Sequence, residues 1–81
     1  MEIKVLGTGC PNCKRLYIEA EKAVHQLGIT ATLVKVEDMQ DIMAYRIMAT
    51  PALVINGTVK SAGRIPGSAE IATWLATAAN E

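Results

Sequence analysis

Two cysteines, Cys10 and Cys13, constrain this chain most strongly, and they are the only cysteines among its 81 residues. They follow an apolar run at residues 3–6 and precede a long segment with helical periodicity, so we expect them at the first turn of a helix. The first N–H groups of a helix have no partner within the helix, and the helix dipole places partial positive charge there. This end of a helix stabilises a thiolate, which is the reactive form of cysteine.

Two cysteines three positions apart on one helical turn can close a disulfide with little movement of the backbone. We therefore interpret the pair as a dithiol/disulfide redox site. The main alternative is a metal-binding module, because two thiolates also suit a soft ion such as Cu(I). A zinc site needs about four ligands. His25 lies about three helical turns beyond the cysteines, which is too far for it to join them.

The length of 81 residues predicts one domain, residues 1–81, because neither half alone would bury a usable core. Lysine plus arginine number 8, as do aspartate plus glutamate, and this zero net charge argues against a nucleic-acid partner. No apolar run approaches the roughly 20 residues that span a bilayer, and the N-terminus shows no signal-peptide pattern. We expect a cytoplasmic protein without a membrane partner, in which closely spaced cysteines are catalytic or metal-binding.

Apolar periodicity and turn residues predict seven elements in the order βαβαββα. Pro11 suits the first position of a helix, where its missing N–H costs nothing, and Gly28 suits a left-handed helix end. Asn56-Gly57 is the strongest hairpin signal, because both residues tolerate a positive φ. The predicted strands are 3–6, 30–36, Ala52–Ile55 and Thr58–Ala62, and the predicted helices are Pro11–Leu27, 39–47 and a last one with Ser68 as its N-cap.

The apolar positions also predict how these elements pack. A strand, a helix and a second strand form a βαβ unit, whose two strands are parallel. Each helix carries one apolar stripe, and we assign the methionines of the second helix to the core rather than to metal binding. The three stripes are Leu16, Ala20, Ala23, Val24 and Leu27; Met39, Ile42, Met43 and Ile47; and Ile71, Trp74, Leu75 and Ala78.

The element order, the Cys-x-x-Cys after the first strand and Thr50-Pro51 before the third strand together resemble the minimal thioredoxin fold. That resemblance implies an α/β fold with a four-stranded mixed sheet flanked by three helices. In thioredoxins and glutaredoxins a proline at this place follows a cis peptide bond and faces the active-site disulfide. Cys10-Pro11-Asn12-Cys13 is closer to the Cys-Pro-x-Cys of glutaredoxins, and the chain resembles the very small thioredoxin/glutaredoxin-like proteins of archaea and bacteria.

The resemblance also implies roles for individual residues. Cys10 would be the attacking thiolate and Cys13 the resolving thiol of a protein-disulfide reductase that needs no other cofactor. The expected partners are proteins with disulfides, with a flavoenzyme of the thioredoxin-reductase kind as electron donor to a monomer. The positions expected to contact the target are Pro11, Asn12, Thr50, Pro51 and Gly63.

Three departures from the family pattern limit what the resemblance implies. Gly9 stands where thioredoxins have a tryptophan, which opens the edge of the groove. Lys4 stands where thioredoxins have a buried aspartate; an ammonium below the site would favour a thiolate at Cys13, although Lys4 can instead extend to solvent. Gly63-Arg64 replaces the Gly-Gly-Asp type of signature that holds glutathione in glutaredoxins, which argues against glutathione dependence.

The charged residues after the dithiol and the residue two positions before it bear on the choice between a redox site and a metal site. Lys14 and Arg15 either add positive potential to the thiolate or are simply solvated. Small copper chaperones carry a methionine two residues before the first cysteine, whereas this chain has Thr8 there. Their element order is βαββαβ, so the predicted βαβαββα order favours the redox function over metal binding.

Overall fold

The computed structural model describes residues 1–9 and 11–80, and Cys10 and Glu81 lie outside the described residues. Over that part of the chain it forms four strands and three helices in the order βαβαββα, which confirms the predicted fold class and element order. The strands are β1 (Glu2–Leu6), β2 (Thr32–Val36), β3 (Ala52–Ile55) and β4 (Thr58–Ala62), and the helices are α1 (Pro11–Leu27), α2 (Met39–Met43) and α3 (Ser68–Ala79).

The strands form one mixed sheet in the order β2-β1-β3-β4. β1 pairs in parallel with β2 and antiparallel with β3, and β3 pairs antiparallel with β4. Because side chains alternate along a strand, Ile3 and Val5 face one side of the sheet and Leu6 faces the other. The chain thereby builds a core on each side.

The larger core lies between the sheet and the pair α1 and α3, and it includes the predicted stripe residues of both helices except Leu27. Ala20 and Ala23 are fully buried on α1, where their short side chains let this helix approach the strands. The smaller core lies under α2. The buried residues of the larger core are Ile3, Val5, Leu16, Ala20, Ala23, Leu53, Ile55, Ile71 and Leu75, and those of the smaller are Leu6, Ile42, Ala52 and Val54.

Turns and helix ends follow the sequence signals closely. Asn56 and Gly57 have φ values of 49° and 84°, which confirms the predicted hairpin between β3 and β4. Gly28 has a φ of 64°, and its N–H donates to the Val24 carbonyl at 3.1 Å, which confirms the left-handed end of α1. β1 begins one residue earlier than predicted and β2 two residues later, and the end of the α1 stripe, Leu27, is exposed.

The second helix differs most from the prediction. It ends at Met43 rather than at Ile47, and residues 44–46 form a turn in which Arg46 has a φ of 57°. A helix of little more than one turn directs a single side chain, Ile42, straight at the sheet. Met39 and Met43 are therefore 56% and 67% exposed, and their prediction as core residues was wrong.

The start of α3 also corrects a prediction. The N-cap position is Gly67, which offers no side-chain oxygen, and Ser68 is already the first helical residue. The Ser68 N–H donates instead to Glu19 Oε2 on α1 at 2.9 Å. A carboxylate at a helix start satisfies an unpaired N–H and complements the helix dipole. Glu19 thus performs, from a neighbouring helix, the role expected of Ser68.

We predict that Glu19→Ala lowers the free energy of unfolding by about 1 kcal/mol, the usual size of a lost N-cap. Urea denaturation followed by circular dichroism measures the change. Glu19→Gln keeps an oxygen acceptor and should lose less. The matched control is Glu21→Ala, which removes an exposed glutamate of the same helix. An equal loss in Glu19→Ala and Glu21→Ala would contradict this role of Glu19.

Among the described residues, no helix combines the length and the apolar character that crossing a membrane requires.

Candidate active site

Cys13 is the third residue of α1 and lies in its first turn, where the backbone N–H groups have no partners within the helix. It is 6% exposed, so its sulfur faces the protein interior. Pro11 and Asn12 occupy the first two helical positions and are exposed. The position of Pro11 at the helix start is as predicted. The other cysteine, Cys10, lies outside the described residues.

The Cys13 side chain packs directly against Gly7, which lies in the turn after β1. A Cβ at Gly7 would overlap the Cys13 Sγ and would lie 3.1 Å from the Cys13 Cβ. The Gly7 N–H donates to the Val36 carbonyl at 3.0 Å, which holds this turn against the end of β2. No sequence pattern indicates this role of Gly7, because a close contact between two elements leaves no local signal.

Thr50, Pro51 and Gly63 lie together at the same end of the sheet. The Thr50–Pro51 bond is cis, as expected, and Pro51 is buried while Thr50 is exposed. The Gly63 N–H donates to the Pro51 carbonyl at 2.9 Å. Because Leu6 pairs with Ala52 across β1 and β3, Pro51 and Gly7 lie side by side at this end. The structure therefore brings Thr50, Pro51 and Gly63 to the end of the sheet where Cys13 lies.

Gly63 allows this close approach. Its φ of 78° lies in the left-handed region, and a Cβ there would stand only 2.9 Å from the Ala49 Cβ. Glycine is therefore required at this position for both conformation and space. The close approach of Gly63 to Ala49 packs the turn after β4 against the segment before Pro51.

Lys4 lies on the opposite face of β1 from Val5, which lines a pocket with Cys13. Its Nζ donates to the Tyr45 hydroxyl at 3.2 Å and lies 3.6 Å from Glu2 Oε1. The hydrogen bond with Tyr45, followed by the charge of Glu2, raises the pKa of Lys4 above its ordinary value. Lys4 therefore directs its charge toward the α2 side, and these contacts do not support the expected effect on the Cys13 thiol.

Lys35 on β2 and Glu37 directly after β2 line a pocket beside Cys13, whereas Lys4 does not. The pocket beside Cys13 has a volume of about 40 Å³. Lys35 places its Nζ 4.7 Å from the centre of the Tyr17 ring, a cation–π contact. Sequence reasoning did not single out Lys35 or Glu37. The described residues that line this pocket are Val5, Gly7, Gly9, Cys13, Lys14, Lys35 and Glu37.

Arg64, next to Gly63, is already engaged by α3. Its Nη2 lies 2.7 Å from Glu70 Oε1 and its Nη1 3.2 Å from Oε2, a bidentate pair. Its guanidinium also lies 5.7 Å from the centre of the half-buried Trp74 ring. The guanidinium that follows Gly63 is therefore paired with Glu70 of α3.

The fold and the site define a class of protein. In the described part of the chain, a four-stranded mixed sheet carries a cysteine in the first turn of α1 and a cis proline at the same end, which is the arrangement of thioredoxin-like proteins. Residues 1–76 match the family model for a thioredoxin domain, so the chain belongs to the thioredoxin family.

Two archaeal proteins show the same relationship. The chain is 39% identical over 71 residues to a thioredoxin of Methanothermobacter thermautotrophicus, which covers 88% of this chain and 92% of that protein. It is also 39% identical over 69 residues to a thioredoxin of Methanocaldococcus jannaschii, which covers 85% of this chain and 79% of that protein. The chain is therefore a thiol–disulfide oxidoreductase that acts on disulfide-containing targets, and the predicted family resemblance is confirmed.

The metal-binding alternative gains no comparable support. The observed βαβαββα order differs from the βαββαβ order of small copper chaperones. Family membership and element order therefore favour the redox function.

We predict that Gly7→Ala lowers the free energy of unfolding by about 1–3 kcal/mol, because the new methyl group overpacks the site of the Cys13 sulfur. It should also change the reactivity of the dithiol, since α1 or the turn must shift. Urea denaturation and thiol alkylation rates measure the two effects. Gly67→Ala is the control, because nothing lies within 4 Å of a Cβ there. A Gly7→Ala protein with wild-type stability and alkylation rates would contradict the packing described.

The Arg64–Glu70 pair predicts a pH dependence of stability. The hydrogen bond from Arg64 lowers the pKa of Glu70 below its ordinary value of 4.5. Because the folded pKa lies below the unfolded one, the pair stabilises the protein above about pH 4.5 and stops doing so as pH falls through the lowered pKa. In urea denaturation, the difference between wild type and Glu70→Gln should shrink over that range. A difference that stays constant down to the most acidic pH would contradict it.

Proposed function

We propose that Cys10-Pro11-Asn12-Cys13 is the redox-active dithiol with which this oxidoreductase reduces disulfides of target proteins. The observation that carries the proposal is the burial of Cys13 against Gly7 in the first turn of α1. A buried second sulfur suits a resolving thiol, which must meet its neighbour and not the solvent. Cys10 comes directly before Pro11 in the sequence and is assigned the attack on the target.

The reaction is a double thiol–disulfide exchange. The Cys10 thiolate attacks one sulfur of the target disulfide, so the target S–S bond breaks and a Cys10–target bond forms. The departing target thiolate takes up a proton. The Cys13 thiolate then attacks the Cys10 sulfur, the mixed disulfide breaks, and the second target thiolate leaves. Two electrons pass from the dithiol to the target, and the protein is left with a Cys10–Cys13 disulfide.

Target binding is assigned to the end of the sheet that carries the site. Thr50, Pro51 and Gly63 meet there, and the exposure of Thr50 supports contacts with an extended target segment through its backbone. Pro11 and Asn12 are exposed at the start of α1 and would contact the same segment.

The start of α1 also favours the thiolate form of the dithiol. Lys14 is exposed and lines the pocket beside Cys13, so its charge adds to that of the helix N-terminus. Both effects lower the free energy of a thiolate relative to a thiol. Lys4 is left out of this set, because its ammonium group donates to Tyr45 on the other face of β1.

We assign the electron donor to a flavoenzyme of the thioredoxin-reductase kind, and we propose a cytoplasmic monomer that uses no cofactor beyond its own disulfide. A reducing compartment keeps thiols reduced, which favours electron flow from the dithiol to the target. Reduction of the oxidised protein by such a flavoenzyme and NADPH, and sedimentation of the reduced protein, test these assignments.

We predict opposite behaviour for the two single cysteine variants. Cys13→Ser should form a stable mixed disulfide with a target such as insulin, because nothing completes the second exchange. Cys10→Ser should form none, and both variants should lose catalytic insulin reduction completely. Non-reducing electrophoresis and insulin turbidity measure the two outcomes. Trapping through Cys13 in the Cys10→Ser protein would reverse the assigned roles.

The metal-binding alternative is tested on the reduced wild-type protein. Titration with Cu(I) or Zn²⁺, competed against a chelator, measures its affinity for each ion. Tight binding together with a lack of insulin reduction would overturn the proposed function in favour of a metal-binding module. Insulin reduction that needs both cysteines and no added metal supports the dithiol mechanism.

A further inference from the structure

The segment between β2 and β3, residues 37–51, carries three of the four methionines of the chain. Met39 and Met43 are 56% and 67% exposed, and Met48 is 99% exposed. The fourth methionine, Met1, is half-buried and packs against the larger core. A single exposed apolar side chain is ordinary, whereas several close together in the chain mark a surface with a use of its own.

Both ends of this segment lie at the dithiol end of the sheet. Glu37 lines the pocket beside the buried thiol, and Met39 follows it by two residues. Met48 precedes Thr50 by two residues, and two residues span at most about 7 Å of chain. Met43 lies one helical turn from Met39, where side chains are neighbours. The three thioethers therefore lie at or near the end of the sheet to which target binding is assigned.

The packing of α2 explains why two of these side chains are exposed. Ile42 is buried against the sheet, and Asp41 lines a pocket with Lys4 on one side of the helix. Because successive helical residues are about 100° apart, Met39 and Met43 lie within about 40° of each other and on the side opposite Asp41. The two methionines therefore share one exposed face of α2.

Exposure determines how readily a methionine reacts with a peroxide. The thioether sulfur attacks one oxygen of hydrogen peroxide, the O–O bond breaks, and water leaves after proton transfer. The sulfur loses two electrons and becomes a sulfoxide, while the peroxide is reduced. The product is a polar side chain, which no longer suits the apolar contacts that a flexible thioether makes.

We propose that peroxides convert Met48, Met43 and Met39 to sulfoxides, and that this modification weakens the docking of target proteins. The inference rests on the proposed function, in which target disulfides are reduced at this end of the sheet. As thioethers, the three side chains contact apolar groups of the target next to its disulfide. As sulfoxides, they must lose water to make the same contacts, which costs free energy. Thiol–disulfide exchange leaves the sulfoxides unchanged, and methionine sulfoxide reductases remove them.

The first measurement locates the added oxygen. The protein is taken in its disulfide form, which protects the cysteines, and is treated with hydrogen peroxide that catalase then removes. Trypsin cleaves after Arg46 and so separates Met48 from Met39 and Met43. Tandem mass spectrometry of the peptides should find oxidation fastest at Met48 and slowest at Met1.

The second measurement compares a protein target with a small one. Dithiothreitol reduces the disulfide and leaves the sulfoxides in place, so insulin reduction is assayed with dithiothreitol as donor. Oxidation should raise the KM for insulin at least about fivefold, in line with the loss of one important interface side chain. The reduced protein, freed of dithiothreitol, should react with a symmetric aromatic disulfide within about twofold of the untreated rate, because a small molecule needs no docking surface. Treatment with methionine sulfoxide reductases should restore the KM.

Three variants separate the modification from other effects of peroxide. The triple variant Met39→Leu, Met43→Leu, Met48→Leu keeps apolar side chains of similar volume that peroxide does not attack, so peroxide should leave its KM unchanged. Met48→Gln introduces a polar side chain without an oxidant and should raise the KM for insulin. Ile18→Gln is the matched control, since Ile18 is 49% exposed on α1 outside the pocket beside the buried thiol, and its KM should equal that of the wild type.

An oxidised wild-type protein that carries a sulfoxide at Met48 and keeps its KM for insulin would overturn the inference and leave the proposed function intact. An equal rise of KM in the wild type and the triple leucine variant would overturn it as well, as would faster oxidation of Met1 than of Met48. Circular dichroism and urea denaturation of the oxidised protein exclude unfolding as the cause, and a lost fold would also contradict the inference. Failure of the untreated wild type to reduce insulin would instead overturn the proposed function, and this inference with it.

Discussion

The contact between the Cys13 sulfur and Gly7 is the constraint on which the rest of the site depends. The sulfur lies where a side chain on the turn after β1 would otherwise be, so α1 can approach the strand closely at its first turn. The hydrogen bond from Gly7 to Val36 links the same turn to β2. One close approach thus positions the helix start, the buried thiol and the end of the parallel strand pair relative to one another.

The two faces of β1 separate the charges of this small protein. Lys4 pairs with Tyr45 and Glu2 on the side of α2. On the other side, Lys14, Lys35 and Glu37 line the pocket with Cys13. Because side chains alternate along a strand, neighbouring positions in sequence serve different purposes here. A position near the dithiol in the sequence is therefore weak evidence that the charge of a residue acts on the thiols.

Much of the fold could be predicted because its local signals are strong. The bounds of α1, β3 and β4 agree with the residues expected from Pro11, Gly28 and Asn56-Gly57. The failures arise where tertiary contacts outweigh local pattern. The methionines of α2 have helical spacing, but the helix is too short to bury them.

The same distinction explains the site. Cys10 and Cys13 could be selected from their spacing before a helix, and Pro51 from the resemblance to the thioredoxin fold. Gly7, Glu37 and Lys35 could not, since their importance comes from contacts across elements. The bond from Ser68 to Glu19 spans α3 and α1. This bond fixes the C-terminal end of segment 63–68, and the bond from the Gly63 N–H to the Pro51 carbonyl fixes its N-terminal end. A docked protein would therefore contact a short segment, residues 63–68, that is fixed at both ends and whose conformation is set before binding.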